Sequence, residues 1–259
     1  MESQAGAIPY QYWVIEQGNA TLTEGGVIEE TLLSLYVNGQ ELATLMCSPV
    51  DQEALALGFL YNEGVIDSPN EVGVIRANTP RTTVDVLLTR AEFDPPRRMV
   101  LTSGCGGGIT LQHLSEHYPP LHSTLTIDPQ VIIDRMGDLQ GEAHLYNAVR
   151  GVHTSILATP EAVLVGAEDV GRHNTIDKIA GKALQGGIDT RDRIMLSSGR
   201  ISSEMMGKAR RMGVPIVASR TAPTSISVNL AQAWNICVIG YVRRGGMRVY
   251  THPERVGLG

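Results

Sequence analysis

Cysteine is scarce in this chain: Cys47, Cys105 and Cys237 are the only three among 259 residues. An odd, widely spaced set argues against a disulfide framework and fits a reducing compartment. No apolar run approaches the length that spans a bilayer. The opening MESQAGAIPYQYW has no basic stretch followed by an apolar one, so no secretory signal is expected. A cytoplasmic protein with no membrane partner is the expectation. Excess positive charge is also lacking: the net charge of −6 gives no support to a nucleic-acid binder. Repeats and low-complexity tracts are absent as well.

What is there is an ordinary globular composition, 42% hydrophobic and 19% charged, in a chain long enough to bury a core without staples. The first hundred residues read mostly as strand. Tyr10 to Ile15 is apolar and aromatic, and LLSLYVNGQELATLMC turns around Asn38-Gly39, two residues that tolerate positive φ. A helix fits DQEALALGFLYNEGVI, with Asp51 as its expected cap. GVIRAN and TTVDVLLT form a second strand pair. The proline-rich FDPPRR marks a boundary. The expected organisation is a β-rich part over 1–98, a connecting segment with the Cys105 loop over 99–127, and an α/β core over 128–259.

In that core a helix opens at Asp128-Pro129, and HTSILAT and AVLVGAE form an antiparallel pair. Helix and strand then alternate through NTIDKIAGKALQ, RIMLSS, SSEMMGKARRM, VPIVAS, SISVNLAQAW and ICVIGYV. Such a series predicts right-handed crossovers and a mostly parallel sheet between helices. Ligands of open α/β sheets bind beyond the carboxyl ends of the strands. The loops there are GAEDVGRHN, SSGRISSE, ASRTAPTS and GYVRRGG, and each carries at least one of Arg172, Arg200, Arg220, Arg243 and Arg244. Several open helices, with Ser202 and Thr224 or Ser225 as caps, and helix N-termini favour anions. The loops predict a phosphate-bearing ligand such as a nucleotide, although a single arginine at a strand end is more often solvated charge.

Cys105 sits in VLTSGCGGG, where glycines remove side-chain cover. Cys47 and Cys237 lie in apolar runs and read as buried and inert. An exposed, mobile thiol can be a hydrolytic nucleophile, a metal ligand or a group carrier. The first needs a rigid site and the second needs partner ligands, and mobility serves the third. His173 is a candidate base or phosphate ligand, or equally a histidine hydrogen-bonded near a helix start. His113 and His117 read as a solvated face. Glu168-Asp169 is placed to orient Arg172 or Lys178, and Glu204 reads as ordinary first-turn acidity.

Six segments carry a resemblance: LALGFLYNEGVI, TSGCGGG, GAEDVGRHNTIDKIAG, SSGRISSEMMGKA, GVPIVASRTAPTSISVNLA and IGYVRRGGMRVYTHP. Through them the chain resembles the formate dehydrogenase accessory sulfurtransferase (FdhD) family. The resemblance implies a cytidine deaminase-like three-layer core with an added N-terminal β-rich part. It implies a persulfide on Cys105, taken from a cysteine desulfurase. The sulfur passes to the molybdenum of a bis-molybdopterin guanine dinucleotide cofactor, which then goes to formate dehydrogenase. A guanine nucleotide such as GDP would mimic that cofactor. It implies cofactor contacts along Tyr241, Val242, Arg243, Arg244, Gly245 and Gly246, to which the strand-end reading adds Arg172, His173, Arg200 and Arg220. A homodimer is also implied. The helix starts EDVGRHN and SGRISSE lack the zinc ligands of deaminases, which disfavours zinc deamination. Many members carry Cys-x-x-Cys on the loop, whereas here the second position is Gly108, so no resolving cysteine stands there. The alternative is a cofactor-binding chaperone without sulfur transfer.

Overall fold

The computed structural model describes residues 5–93 and 118–259. Cys105, His113 and His117 lie outside the described residues. Strands β1 (Ala7–Glu16) and β2 (Asn19–Ile28) form a two-stranded ribbon of their own. Strands β3 (Thr31–Val37), β4 (Gln40–Cys47), β5 (Val72–Ala77) and β6 (Thr83–Leu88) form a four-stranded sheet in the order β4-β3-β6-β5. The β3–β4 turn falls at Asn38 and Gly39, with φ of 48° and 81°, as Asn-Gly predicts. Helix α1 (Gln52–Asn62) lies against this sheet and stops earlier than its apolar sequence suggests, where the chain reaches Gly64 at φ 74°. Asp51 precedes α1 but does not cap it. Its φ is 54°, its side chain makes no cap bond, and the carboxylate pairs with Lys182 at 2.7 Å instead.

The second half builds the larger sheet. Its strands are β7 (His153–Ala158), β8 (Val163–Asp169), β9 (Ile194–Ser197), β10 (Ile216–Ser219), β11 (Cys237–Arg243) and β12 (Gly246–Val249), in the order β12-β11-β10-β9-β7-β8. This sheet is mixed, which corrects the mostly parallel expectation. Only the β9–β10 and β10–β11 pairings are parallel, because β7 runs against both its neighbours and β12 returns along β11 as a hairpin. Strands β8, β9, β10 and β11 nonetheless share one direction, so their carboxyl ends meet at one edge.

The sheet is covered on both faces. Leu157, Met195, Val217 and Val238 pack under α4 (Arg172–Gln185), α5 (Ser203–Arg211) and α6 (Ser225–Trp234). Their neighbours Ile156, Ile194, Leu196, Ile216 and Ile239 pack under α2 (Pro129–Asp138). Strands buried on both faces have no polar side to alternate with, so they are apolar at nearly every position. Asp128 caps α2 through Gln130 N–H at 2.7 Å, and Pro129 takes the first helical position, where its missing N–H costs nothing. A short helix α3 (His144–Val149), which the sequence does not announce, lies between α2 and β7.

The two halves meet along α1 and α4 at backbone contact. A Cβ on Gly58 would stand 1.8 Å from the Asp177 carbonyl oxygen, and one on Gly181 would stand 1.9 Å from that of Ala54. The adjoining strand end is stitched too. Asp169 accepts Ser48 N–H at 3.0 Å and pairs with the fully buried Lys178 at 2.6 Å. Asn174 donates to the Met46 carbonyl at 2.8 Å. The first half therefore fixes the loop that carries Arg172 and His173.

Candidate functional site at the strand ends

The loops after β8, β9, β10 and β11 do come together. Ser219 Oγ donates to the Gly199 carbonyl at 2.6 Å, Arg220 N–H to Ser197 at 3.2 Å and Ile201 N–H to Ala222 at 3.2 Å. Tyr241 N–H reaches Thr221 at 3.1 Å. A buried hydroxyl cluster underlies them, with Ser155 Oγ 2.6 Å from Thr175 Oγ1 and 3.0 Å from Ser197 Oγ. Buried hydroxyls satisfy one another this way at the end of a ladder, where backbone partners run out. Ser202 and Thr224 cap α5 and α6 as predicted, accepting from Met205 N–H and Ser227 N–H, each at 3.3 Å.

The resulting surface is electropositive. Arg172 opens α4 half-buried, and its basicity is lowered first by burial and then by the neighbouring Arg200 guanidinium. Arg172 Nε is buried with no hydrogen-bond partner among the described residues. His153, at the start of β7, has its pKa lowered by burial, then by Arg172 and His173, so the neutral ring is favoured. Gly199 permits this crowding: a Cβ there would stand 3.0 Å from Arg172 Cβ and 3.2 Å from His153 Nδ1. Beside them opens a cavity of about 260 Å³, lined by residues that include His153, Thr154, Ser198, Tyr146 and Arg220. Arg220 in the lining, with Arg172 and Arg200 near His153, suits an anionic, phosphate-like ligand.

His173 is held differently from the arginines. Its Nε2 lies 2.8 Å from Ser202 Oγ and its Nδ1 lies 3.0 Å from Glu204 Oε2. Glu204 Oε1 lies 3.1 Å from Lys208 Nζ, which also reaches Asp177 at 2.6 Å; Asn62 closes the chain onto Asp177 at 2.8 Å. Glu204 sits at about 2: burial alone would raise it, but the bonds from His173 and Lys208 outweigh that. Of the roles open to His173 from sequence, the structure places it near a helix start, hydrogen-bonded to Ser202 through Nε2 and with Glu204 3.0 Å from Nδ1.

Arg200 is exposed, and Arg220 is half-buried with a bond to the Met136 carbonyl at 3.3 Å. Tyr241 is exposed at φ 55° with Arg248 stacked 4.1 Å over its ring. The Val242 side chain is buried in the face under α2, so only its backbone is available to a ligand. Arg243, Arg244 and Gly245 are exposed in the turn to β12, which starts at Gly246. Asp169 does orient Lys178. Glu168 instead accepts Leu145 and Tyr146 N–H at 2.6 and 2.8 Å and leaves Arg172 alone. Cys47 and Cys237 are buried, and burial pushes each thiol up to about 12. No cluster of metal-ligating side chains is present among the described residues, and no described helix is long and apolar enough to cross a membrane.

Sequence reasoning missed His153, Lys208 and Asp177. His153 sits at the head of an apolar strand. Lys208 and Asp177 are polar residues on helices whose exposed faces are polar too, so nothing in the spacing marks them as buried.

Residues 28–257 match the FdhD/NarQ family. The chain belongs to that family. Among its relatives, "Sulfur carrier protein FdhD" of Staphylococcus aureus strain MRSA252 is 35% identical over 246 residues, and the match covers 93% of both chains. The protein of the same name from strain Newman is 34% identical over the same length. A solved structure described as a formate dehydrogenase accessory protein, from Desulfotalea psychrophila, superposes with a TM-score of 0.80 at 26% identity, covering 96% of this chain and 99% of that one. The mixed α/β architecture is thus shared along nearly the whole of both chains.

Proposed function

We propose that this FdhD-family protein is a cytoplasmic sulfur carrier for formate dehydrogenase maturation. Cys105 accepts a persulfide sulfur from a cysteine desulfurase and passes it to the molybdenum of a bis-molybdopterin guanine dinucleotide bound as cargo. The sulfurated cofactor goes on to formate dehydrogenase. The observation that carries this reading is the gathering of arginines at the strand ends, with Arg220 lining the cavity and Arg172 and Arg200 near its His153, where pyrophosphate groups would be held. The turn from Tyr241 to Gly246 adjoins them through the Thr221 bond. In the sequence the glycines beside Cys105 leave it without side-chain cover, which suits a thiol that must meet both a donor protein and a cofactor, and the buried Cys47 and Cys237 are poor candidates for the same work. The order β8-β7-β9-β10-β11 with β7 reversed supports a cytidine deaminase-like core. A homodimer belongs to the same reading.

Complementation tests it. In cells whose formate dehydrogenase depends on this protein, Cys105→Ala should abolish activity while Cys47→Ala and Cys237→Ala retain it. Full activity with Cys105→Ala would overturn sulfur transfer and leave delivery of the cofactor alone.

A further inference from the structure

We propose that Ser202, His173 and Glu204 form a serine nucleophile with its proton relay, an acyl-transfer site for small anionic esters that shares its flanking arginines with the proposed cofactor cradle. The roles follow from the bonds. Glu204 faces His173 Nδ1 at 3.0 Å and is a carboxylate at any ordinary pH, so it holds the proton on Nδ1. That leaves Nε2 as an acceptor, and Ser202 Oγ lies 2.8 Å from it. Carboxylate to Nδ1 and hydroxyl to Nε2 is the arrangement by which a histidine takes a serine proton.

The groups behind the histidine suit that task. Glu204 brings a negative charge and Lys208, between Glu204 and Asp177, a positive one, while burial raises the Asp177 carboxyl above its ordinary value. Lys208 is fully within the protein and its ammonium form is favoured, because Asp177 and Glu204 outweigh the burial that opposes it.

Ser202 is half-buried at the start of α5, on the same edge as the arginine loops. Arg200 precedes it by two residues and Arg172 adjoins His173. These cations, with the first-turn N–H groups of α5, favour an anionic acyl group and a developing oxyanion. In the step, Ser202 Oγ bonds to the carbonyl carbon as its proton passes to His173 Nε2. The tetrahedral adduct collapses, the bond to the ester oxygen breaks, and the departing alkoxide takes that proton. Water then attacks the acyl-serine, giving its proton to Nε2, and Ser202 recovers the proton as the acid leaves. The sum is ester plus water to acid plus alcohol.

The test is covalent labelling of the full-length protein with a fluorophosphonate, followed by peptide mapping. Ser202 Oγ would bond to phosphorus, fluoride would leave, and His173 would pass the hydroxyl proton to buffer. Label is expected on Ser202 and lost in Ser202→Ala. In Glu204→Gln, where Glu204 acts as a positioning residue, the maximal labelling rate should fall by ~100-fold or more with probe affinity little changed. A 4-nitrophenyl ester bearing a carboxylate should be hydrolysed faster than its neutral analogue, and Arg200→Ala should erase that preference. The proposal is overturned if the folded wild-type protein takes no label on Ser202. It is equally overturned if His173→Gln, folded as judged by circular dichroism, labels at the wild-type rate.

Discussion

At the scale of single residues, the buried charges around Glu204 govern stability as well as chemistry. Removing one partner of a buried pair strands the other, so Lys208→Met should cost about 3–5 kcal/mol, read as a lower urea midpoint. The Glu204 carboxyl lies at about 2 in the folded protein against 4.5 for the free group. A lowered carboxyl contributes stability above its unfolded value and loses it as pH falls through the folded one. Between about pH 4.5 and pH 2 the wild-type protein should therefore lose on the order of 1–3 kcal/mol from this group, and Glu204→Gln should flatten that part of the profile. Thermal unfolding across that range checks it. The sequence showed Glu204 as first-turn acidity and His173 as one of three things. The bonds joining them are made between α4 and α5, whose packing no local pattern encodes, so the relay was not legible in advance. The buried state of Cys47 and Cys237 was legible, because each stands in an apolar strand.

At the scale of elements, the α1–α4 contact is the most exposed to test. Asp177 O and Ala54 O are backbone atoms, so a methyl group at Gly58 or Gly181 cannot be met by a side chain swinging away. Gly58→Ala and Gly181→Ala should each destabilise by about 3 kcal/mol or more, through separation of the helices. Denaturant unfolding reads the loss, and Gly207→Ala, inside α5 with open space around it, is the control that should keep or slightly raise stability. Elements were legible where local signals agreed. Asn38-Gly39, Asp128-Pro129, Ser202 and Thr224 all mark real boundaries. Asp51 misled because a good capping residue was drawn to Lys182 across the helix interface. Helix α3 went unseen because Ala143 offers no cap side chain, and part of its first turn is satisfied by Glu168 from a distant strand.

At the scale of the molecule, the sheet collects four loops that are far apart in sequence. The alternation of helix and strand made that edge predictable, whereas the reversal of β7 did not follow from composition, since a buried strand reads the same in either direction. Convergence of arginines at the edge has a direct consequence. GDP should bind there, and Arg172→Ala or Arg220→Ala should weaken it ~10-fold, with a wild-type affinity that falls as salt rises; calorimetry measures both. The account as a whole stands on the thiol that would serve this edge. Incubating the protein with a cysteine desulfurase and cysteine, then mapping peptides by mass, tests it most directly. A single added sulfur on the Cys105 peptide, discharged on supplying the molybdenum cofactor, is the predicted result. A Cys105 peptide of unchanged mass, or sulfur held instead on Cys47 or Cys237, would contradict it.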